Sequence, residues 1–315
     1  SGRGGAAPCQ RPTAVIRPLD PHFEQRLNEV ADRITVALDQ LIPAASGPEA
    51  QLMRAMRHGA LSKGKRLRPF ITIEVGRMFG AQEKALLRAA AALECMHAYS
   101  LIHDDLPCMD DDDYRRGQPT VHKAFDEATA LLAGDALQAL AFEIMISPET
   151  HRDAMMRCKL VERLALAAGA RGMVGGQMID MYPALDDEEP LQVMTRMQRL
   201  KTGALITLAG EVGALLGGAL DSERHAISGY TNDLGLAFQI VDDLLDVEGD
   251  PGILGKATAK DVAAGKKNFV SLLGVEGAQD RVRYLAAQAK QHLASFGSRA
   301  SSLLHTVDFV LNRRH

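Results

Sequence analysis

Apolar residues recur at intervals of three and four along most of the chain. One clear series in the first part of the sequence consists of Phe23, Leu27, Val30, Ile34 and Leu38. This spacing places side chains on one face of an α-helix, whereas the alternation typical of a half-buried strand is almost absent. The pattern therefore predicts an all-α fold.

Gly, Pro and Asp residues divide this pattern into separate helices. The stretch from about Glu83 to Leu106 contains neither Gly nor Pro. It predicts a helix about 36 Å long that ends at Pro107. Further helices are predicted over residues 124–146, 152–182, 188–218 and 222–247. Because no repeat and no linker marks a second domain, we expect a flexible leader at residues 1–19 and one helical domain at 20–315.

The composition is that of an ordinary globular protein, with 46% hydrophobic and 24% charged residues. No stretch of about 18 uncharged apolar residues occurs, so we expect no membrane-spanning helix. The formal net charge of -4 does not favour a nucleic-acid-binding protein.

The cysteines and the first residues bear on the cellular location. The four cysteines fit no CxxC metal pair and are too sparse for a disulfide-stapled secreted domain. The basic leader is rich in Gly and Pro and lacks the apolar core of a signal peptide, although the remnant of a transit peptide stays an alternative. We therefore expect a cytoplasmic protein.

Two acidic clusters stand near predicted helix ends. They read HDDLPCMDDDDYRRG at residues 103–117 and QIVDDLLDVEGD at residues 239–250. A helix C-terminus already carries partial negative charge, so carboxylates there favour a bound cation. Asp242 and Asp246 are i and i+4 and share a helix face, whereas Asp104 and Asp110 meet only if Pro107 turns the chain back.

Carboxylate oxygens of this kind are typical ligands of Mg²⁺, which is usually held together with substrate phosphates. Either cluster taken alone is more simply explained as a solvated loop. An EF-hand is excluded because the sixth position counted from Asp110 is Arg115 instead of the required Gly.

Basic residues lie where phosphates need neutralisation. They are Lys63, Lys65, Arg66 and Arg68 in SKGKRLRP, Arg115 and Arg116 after the first acidic cluster, and Lys256, Lys260, Lys266 and Lys267 after the second. Arginine forks and lysine ammonium groups both bind phosphate. The stretch GALSKGK imitates a nucleotide-binding P-loop, but Arg66 follows it instead of Ser or Thr, and a helix precedes it.

Together these residues resemble the trans-prenyl diphosphate synthases, the enzymes that elongate isoprenoid chains head to tail. The resemblance covers about residues 50–275 and includes DDLPCMD, DDLLD, GGQMID at 175–180 and KTG at 201–203. The four residues between the acidic ends of the first motif resemble the bacterial farnesyl and plant-type geranylgeranyl branch. The resemblance implies a single-domain isoprenoid synthase-type helical bundle around a deep central cavity, and a homodimer.

The resemblance also implies a role for each matching residue. Ligands of three Mg²⁺ ions would be Asp104, Asp110 and Asp242, supported by Asp105, Asp243 and Asp246. The allylic diphosphate would be neutralised by Arg115, Lys201 and Lys256. Isopentenyl diphosphate would be bound by Lys65, Arg68, His97 and Arg116. Polar groups near the reacting carbon would be Thr202, Gln239 and Gln177. Without the motifs, His97 is equally well explained as a core histidine, and each of the last three residues is better explained as a helix-packing residue.

The expected reaction is ionisation of an allylic diphosphate, followed by attack of isopentenyl diphosphate on the carbocation. Tyr99, five residues before Asp104, is expected to stop the growing chain at C15, since Ser100 beside it is small. We therefore expect farnesyl diphosphate as product, with a geranylgeranyl diphosphate synthase as the alternative.

A terpene cyclase is a less favoured alternative, since the chain has no Trp and retains SKGKRLRP. A non-enzymatic regulatory subunit would have lost one acidic motif, and both are present. We expect the C-terminal NRRH to fray.

Overall fold

The computed structural model describes residues 21–182, 189–248 and 268–313. The expected leader at 1–19 and the last two residues lie outside the described residues.

Helices dominate the described chain. Their bounds are α1 Pro21–Leu41, α2 Ala50–Ala60, α3 Leu67–Met78, α4 Glu83–Asp104, α5 Val121–Ala124, α6 Glu127–Ile146, α7 Ala154–Ala168, α8 Met173–Met181, α9 Pro190–Gln198, α10 Ala204–Leu216, α11 Asp221–Glu248, α12 Phe269–His292 and α13 Ser301–Leu311. A π-helical turn at Arg199–Gly203 joins α9 to α10, and a 3₁₀ segment at Ala294–Ala300 precedes α13. The all-α prediction is confirmed.

The helix α4 forms the centre of the main core. Five consecutive residues from Ala89 to Leu93 have no exposed surface, which requires neighbours on every side of the helix. Those neighbours are α1, α2, α3, α6 and α10. A second, smaller core joins α9, α11 and α12 through residues such as Met197, Ile240 and Phe269.

The apolar periodicity predicted several elements correctly. All five residues of the series in α1 are buried, and α4 ends at Asp104, shortly before Pro107. The single helix predicted over 152–182 is wrong, because the chain breaks between α7 and α8. Gly172 has non-helical dihedral angles there, and a Cβ on it would lie 2.0 Å from the carbonyl oxygen of Ala167.

A short hairpin follows the first acidic cluster, which the helical pattern did not predict. Its strands are β1 Tyr114–Arg115 and β2 Gln118–Pro119. The two turn residues, Arg116 and Gly117, have φ values of 52° and 78°, as two-residue hairpin loops with two positive φ angles require. The hairpin fixes where Arg115 and Arg116 project.

Two described helices, α4 and α6, are long and apolar enough to cross a membrane by length and composition alone. They pack against each other, and α4 is enclosed by the bundle. A helix at the centre of a large core needs the same composition. On α6, Leu131, Leu132 and Ile146 stay exposed.

Candidate active site

A cavity of about 450 Å³ opens between α3, α4, α6, α8 and the π-helical turn. This volume lies within the range of roughly 300–1,000 Å³ typical of small-molecule sites. Eight of the predicted site residues line it: Arg68, His97, Tyr99, Ser100, Asp104, Gln177, Lys201 and Thr202. The remaining lining is largely apolar and includes Leu131, Met173, Met178 and Met181. The cavity therefore has charged groups beside an extended apolar surface.

The first acidic cluster turns back on itself after α4. The backbone N–H of Asp110 donates a hydrogen bond to the carbonyl oxygen of Asp104 at 2.9 Å, as the break at Pro107 predicted. Burial raises the pKa of Asp104 to about 6, Lys201 partly opposes this rise, and Asp110 adds to it. The carboxylates of Asp104 and Asp110 are therefore neighbours, and the pKa of Asp104 is raised. Such a pair of oxygen donors suits a hard divalent cation.

Arg115 pairs with an acid of the same cluster. Its Nε lies 2.7 and 3.0 Å from the two carboxylate oxygens of Asp105, and its Nη2 lies 3.4 Å from Asp112. Arg115 does not line the cavity. Its predicted contact with an allylic diphosphate stays a prediction, and in the described structure it anchors the hairpin to the end of α4.

Lys201 lies in the π-helical turn, where its Nζ is 2.5 Å from Oδ2 of Asp180 on α8. Such turns often occur at functional sites. Gly176 allows this approach, because a Cβ there would lie 2.1 Å from the backbone nitrogen of Lys201. Asp180 received no role in the sequence analysis. Its position at i+3 from Gln177, on the same helix face, was the available signal.

Arg68 and His97 form a half-buried pair that faces the cavity. Arg68 Nη1 donates to Nε2 of His97 at 3.3 Å. Burial, reinforced by Arg68, Arg116, Arg66 and Arg115, holds the pKa of His97 well below its usual value. His97 is therefore a neutral imidazole that accepts from Arg68.

Several buried polar atoms around the cavity have no partner among the described residues. They are Nε of Arg68 and both amide atoms of Gln177. Unpartnered buried polar atoms are costly in a folded protein. Their presence in the lining fits a site that receives a polar ligand.

A buried ion pair holds the loop before α3 in place. Arg66, with φ of 47°, is buried and pairs with Glu94 of α4. Arg116 Nη1 lies 2.6 Å from where a Cβ on Gly64 would stand, and burial lowers the pKa of Arg116. The structure thus brings Arg116 against the loop that leads into α3 and Arg68.

The second acidic cluster meets the C-terminus of the chain. Arg313 Nη1 donates to Oδ1 of Asp242 at 2.7 Å and stacks over Phe238 at 4.3 Å. Burial raises the pKa of Asp242 to about 6, and Arg313 opposes this rise. The expected fraying of the C-terminus is therefore wrong for Arg313, whose contacts the sequence analysis missed.

Lys65 interacts electrostatically with Asp242 and Arg313. Burial lowers the pKa of Lys65, Arg313 lowers it further, and Asp242 opposes the change. The ammonium of Lys65 also lies 5.3 Å from the ring centre of Phe309. Asp243 accepts the backbone N–H of Phe269 at 2.8 Å, at the start of α12.

Some predicted site residues stay outside the described cavity lining. Asp110, Asp242, Lys65, Arg116 and Gln239 are described but do not line it. Gln239 stands one turn before Asp242 and Asp243 on α11, so it shares their helix face. Lys256 lies outside the described residues.

A further group of possible metal ligands lies next to the hairpin. Ligand atoms of Asp111, Asp113 and His122 are within 4.8 Å of one another. Lys123 Nζ lies 2.8 Å from Asp113 and already supplies positive charge to these acids.

Known proteins resemble this chain in sequence and in fold. A family profile described as polyprenyl synthetase matches residues 49–300. The farnesyl diphosphate synthase of Escherichia coli is 44% identical over 301 residues, covering 92% of this chain and 99% of that protein. The Arabidopsis thaliana heterodimeric geranylgeranyl pyrophosphate synthase large subunit 2 is 38% identical, covering 92% of this chain and 77% of that protein. A crystal structure of a FPP/GFPP synthase from Zymomonas mobilis superposes with a TM-score of 0.84 at 44% identity, over 92% of this chain and 99% of that one.

Proposed function

The chain belongs to the polyprenyl synthetase family, and from this premise we propose that it is a farnesyl diphosphate synthase. It condenses isopentenyl diphosphate head to tail with dimethylallyl diphosphate and then with geranyl diphosphate, releasing pyrophosphate at each step. The observation that carries the proposal is the composition of the cavity. Asp104 and Lys201 lie in one lining with an apolar surface that includes Tyr99.

The charged residues stabilise the departing pyrophosphate. Lys201, in its π-helical turn, faces the same cavity as Asp104, and a fixed positive charge there lowers the energy of the ionising allylic diphosphate. Cleavage of the C–O bond leaves an allylic carbocation and pyrophosphate, and no enzyme nucleophile is needed because the double bond of isopentenyl diphosphate attacks the cation. The tertiary cation that results loses a proton to the released pyrophosphate, which forms the double bond of the product. The apolar lining excludes water, which would otherwise trap the cation.

The polar residues of the lining orient the second substrate. Arg68 donates to His97 from a half-buried position and keeps its Nε available for a diphosphate oxygen. Lys65 and Arg116 add positive charge near the loop before α3. Gln177 and Thr202 line the cavity beside Lys201, and we assign them, with Gln239, to the reacting end of the allylic substrate.

The donor set fits three Mg²⁺ ions held through the diphosphate. Asp104 and Asp110 would hold two of them and Asp242 the third, with Lys256 and Arg115 as further positive charge. When bound, the ions supply positive charge that stabilises the leaving pyrophosphate.

A homodimer in the cytoplasm is part of the proposal. The exposed Leu132 and Ile146 of α6 support a subunit interface. The described cysteines are free thiols, as in a reducing compartment. Light scattering would measure the mass of the assembly.

A product assay tests the proposed activity. The protein is incubated with isopentenyl diphosphate and each allylic diphosphate in turn, with Mg²⁺, and the products are separated by chain length. We expect C15 as the main product. Mainly C20 would favour the geranylgeranyl alternative, which the similarity to the Arabidopsis protein supports, and cyclised hydrocarbons would contradict the proposal.

Tyr99→Ala is expected to shift the product toward C20. Tyr99 stands about 7.5 Å from Asp104 along α4 at 1.5 Å per residue. Its ring packs edge-on against that of His103, with 5.0 Å between the ring centres. Its removal opens space that one more isoprene unit fills. The product ratio measures the effect, with Ser100→Ala as the control that keeps C15. A folded, active Tyr99→Ala protein that still stops at C15 would show that another residue ends the tail.

Mg²⁺ is expected to raise the Tm more at about pH 7.5 than at about pH 5. The pKa of Asp104 and of Asp242 is raised from 3.8 to about 6 in the fold. Between about pH 4 and pH 6 the folded protein binds more protons than the unfolded chain, so the metal-free protein loses stability as the pH rises through this window. Above it, both carboxylates are ionised and bind metal.

Thermal unfolding with Mg²⁺ and with chelator, across this range, measures the difference in Tm. A metal-induced increase that does not change with pH would contradict the assignment of these two aspartates.

A further inference from the structure

A second cavity lies on the other side of the π-helical turn. It is broad and open, with a volume of about 720 Å³. Four arginines line it, and we call it the arginine pocket: Arg171, Arg196, Arg199 and Arg281. Arg171 precedes α8, Arg196 lies on α9, Arg199 begins the π-helical turn and Arg281 lies on α12. Four separate stretches of the chain thus bring positive charge to one cavity.

The four charges lack carboxylate partners among the described residues. Within these ranges, none of the four arginines forms a hydrogen bond or an ion pair with an acidic side chain. Asp233 interacts with two of them only through longer-range electrostatics. Burial raises the pKa of Asp233, and His292, Arg199 and Arg281 oppose the rise. Asp233 itself pairs with His292 at 3.3 Å, so it does not neutralise the pocket.

The arginine pocket is separate from the active-site cavity. The two cavities share no lining residue. Arg199 and Leu200 line the arginine pocket, whereas the next two residues, Lys201 and Thr202, line the active site. The arginine pocket is therefore not an extension of the proposed substrate site.

We propose that the arginine pocket binds a diphosphate or longer polyphosphate anion. The four arginines are exposed and partly screened by water, and an anion with several negative charges relieves the repulsion that remains between them. The planar guanidinium fork matches phosphate oxygens in pairs. Gln192 and Thr195 also line the pocket, where Nε2 of Gln192 donates to Glu189 and the hydroxyl of Thr195 donates to the carbonyl oxygen of Leu191.

The size of the pocket favours an extended anion over a single phosphate. Its volume exceeds that of the active-site cavity, and Leu191 and Leu200 add an apolar surface beside the charges. The anion is thus a free inorganic polyphosphate or the diphosphate end of an organic molecule, and both share the group that the arginines recognise. Binding here does not depend on the proposed function.

Calorimetric titration of metal-free protein with inorganic tripolyphosphate tests the inference. Arg196→Gln/Arg281→Gln removes two pocket charges, and Arg54→Gln/Arg152→Gln removes two exposed charges outside either cavity. We expect the pocket variant to lose one binding component or weaken it at least about tenfold, since charge-assisted hydrogen bonds are lost. The wild type and the control should retain that component. Equal affinity in all three, or an equal loss in both variants, would overturn the proposal.

Two further experiments identify what occupies the pocket. Titration with farnesyl diphosphate and with inorganic diphosphate separates an organic ligand from a free polyphosphate, and binding of either that requires Arg196 and Arg281 supports the site. The segment at 186–188 contains Asp186, Asp187 and Glu188. A triple variant, Asp186→Asn/Asp187→Asn/Glu188→Gln, removes these three negative charges. If this variant binds the anions and the wild type does not, the arginines pair with acids of the chain itself and the proposal is wrong. These titrations measure no turnover, so a failed activity assay leaves their result unaffected.

Discussion

Asp104→Ala and Asp242→Ala are each expected to lower kcat by at least about a hundredfold. Removing one strong electrostatic stabiliser of a transition state often costs roughly 3 kcal/mol, which corresponds to about two orders of magnitude in rate. Asp104 lines the cavity that contains Lys201, and Asp242 stands in the second acidic cluster. Steady-state kinetics at saturating substrate, over a range of Mg²⁺ concentrations, measures the loss.

Two control variants separate metal binding from a general loss of negative charge and from a loss of the contact with Arg313. Asp32→Ala removes an exposed carboxylate of α1 and should leave kcat unchanged. Arg313→Gln removes the guanidinium that pairs with Asp242. If the role of Asp242 were only to hold Arg313, this variant would reproduce the loss seen with Asp242→Ala. Full activity of either aspartate variant in the presence of a chelator would exclude the metal assignment.

Local patterns in the sequence predicted much of the architecture. Helix α1 follows from one apolar series and α4 from a run without Gly or Pro, because these features act within a few residues. The break at Gly172 and the hairpin at Arg116 depend on single dihedral angles. A pattern averaged over a window of residues does not register them.

The contacts within the candidate site were less predictable. Asp242 and Arg313 are 71 residues apart, and Asp180 and Lys201 are 21 apart. Pairs at such separations meet only through the packing of helices, and no spacing rule relates them. The motifs marked the residue types, whereas the structure shows which of them share a cavity.

The arginine pocket was likewise not predictable from the sequence. Its four arginines are scattered over 111 positions of the chain, from Arg171 to Arg281, and none belongs to a recognisable motif. Only the packing of α8, α9 and α12 around the π-helical turn brings them together.

Gly176→Ala is expected to destabilise the protein and to lower kcat at least about tenfold. The new Cβ would lie 2.1 Å from the backbone nitrogen of Lys201, 2.6 Å from its Cα and 2.8 Å from the carbonyl carbon of Leu200. All three are backbone atoms, so no side-chain rotation relieves the contact. The helix α8 must move away from the π-helical turn, which separates Asp180 from Lys201. Overpacking of this kind costs about 1–3 kcal/mol, and kcat falls because Lys201 is displaced.

Urea unfolding and steady-state kinetics measure the two effects of this substitution. Gly277→Ala on α12 is the matched control, because the nearest atom to its new Cβ is the Cβ of Leu273 at 3.2 Å. Alanine favours a helix over glycine by about 1 kcal/mol, which offsets the close contact with Leu273, so the control should change stability little and leave kcat unchanged. At Gly176 the destabilisation caused by the steric clash must exceed the same gain in helix propensity. If Gly176→Ala unfolds and turns over like the control, the approach of α8 to the π-helical turn is looser than described, and the position of Lys201 does not depend on it.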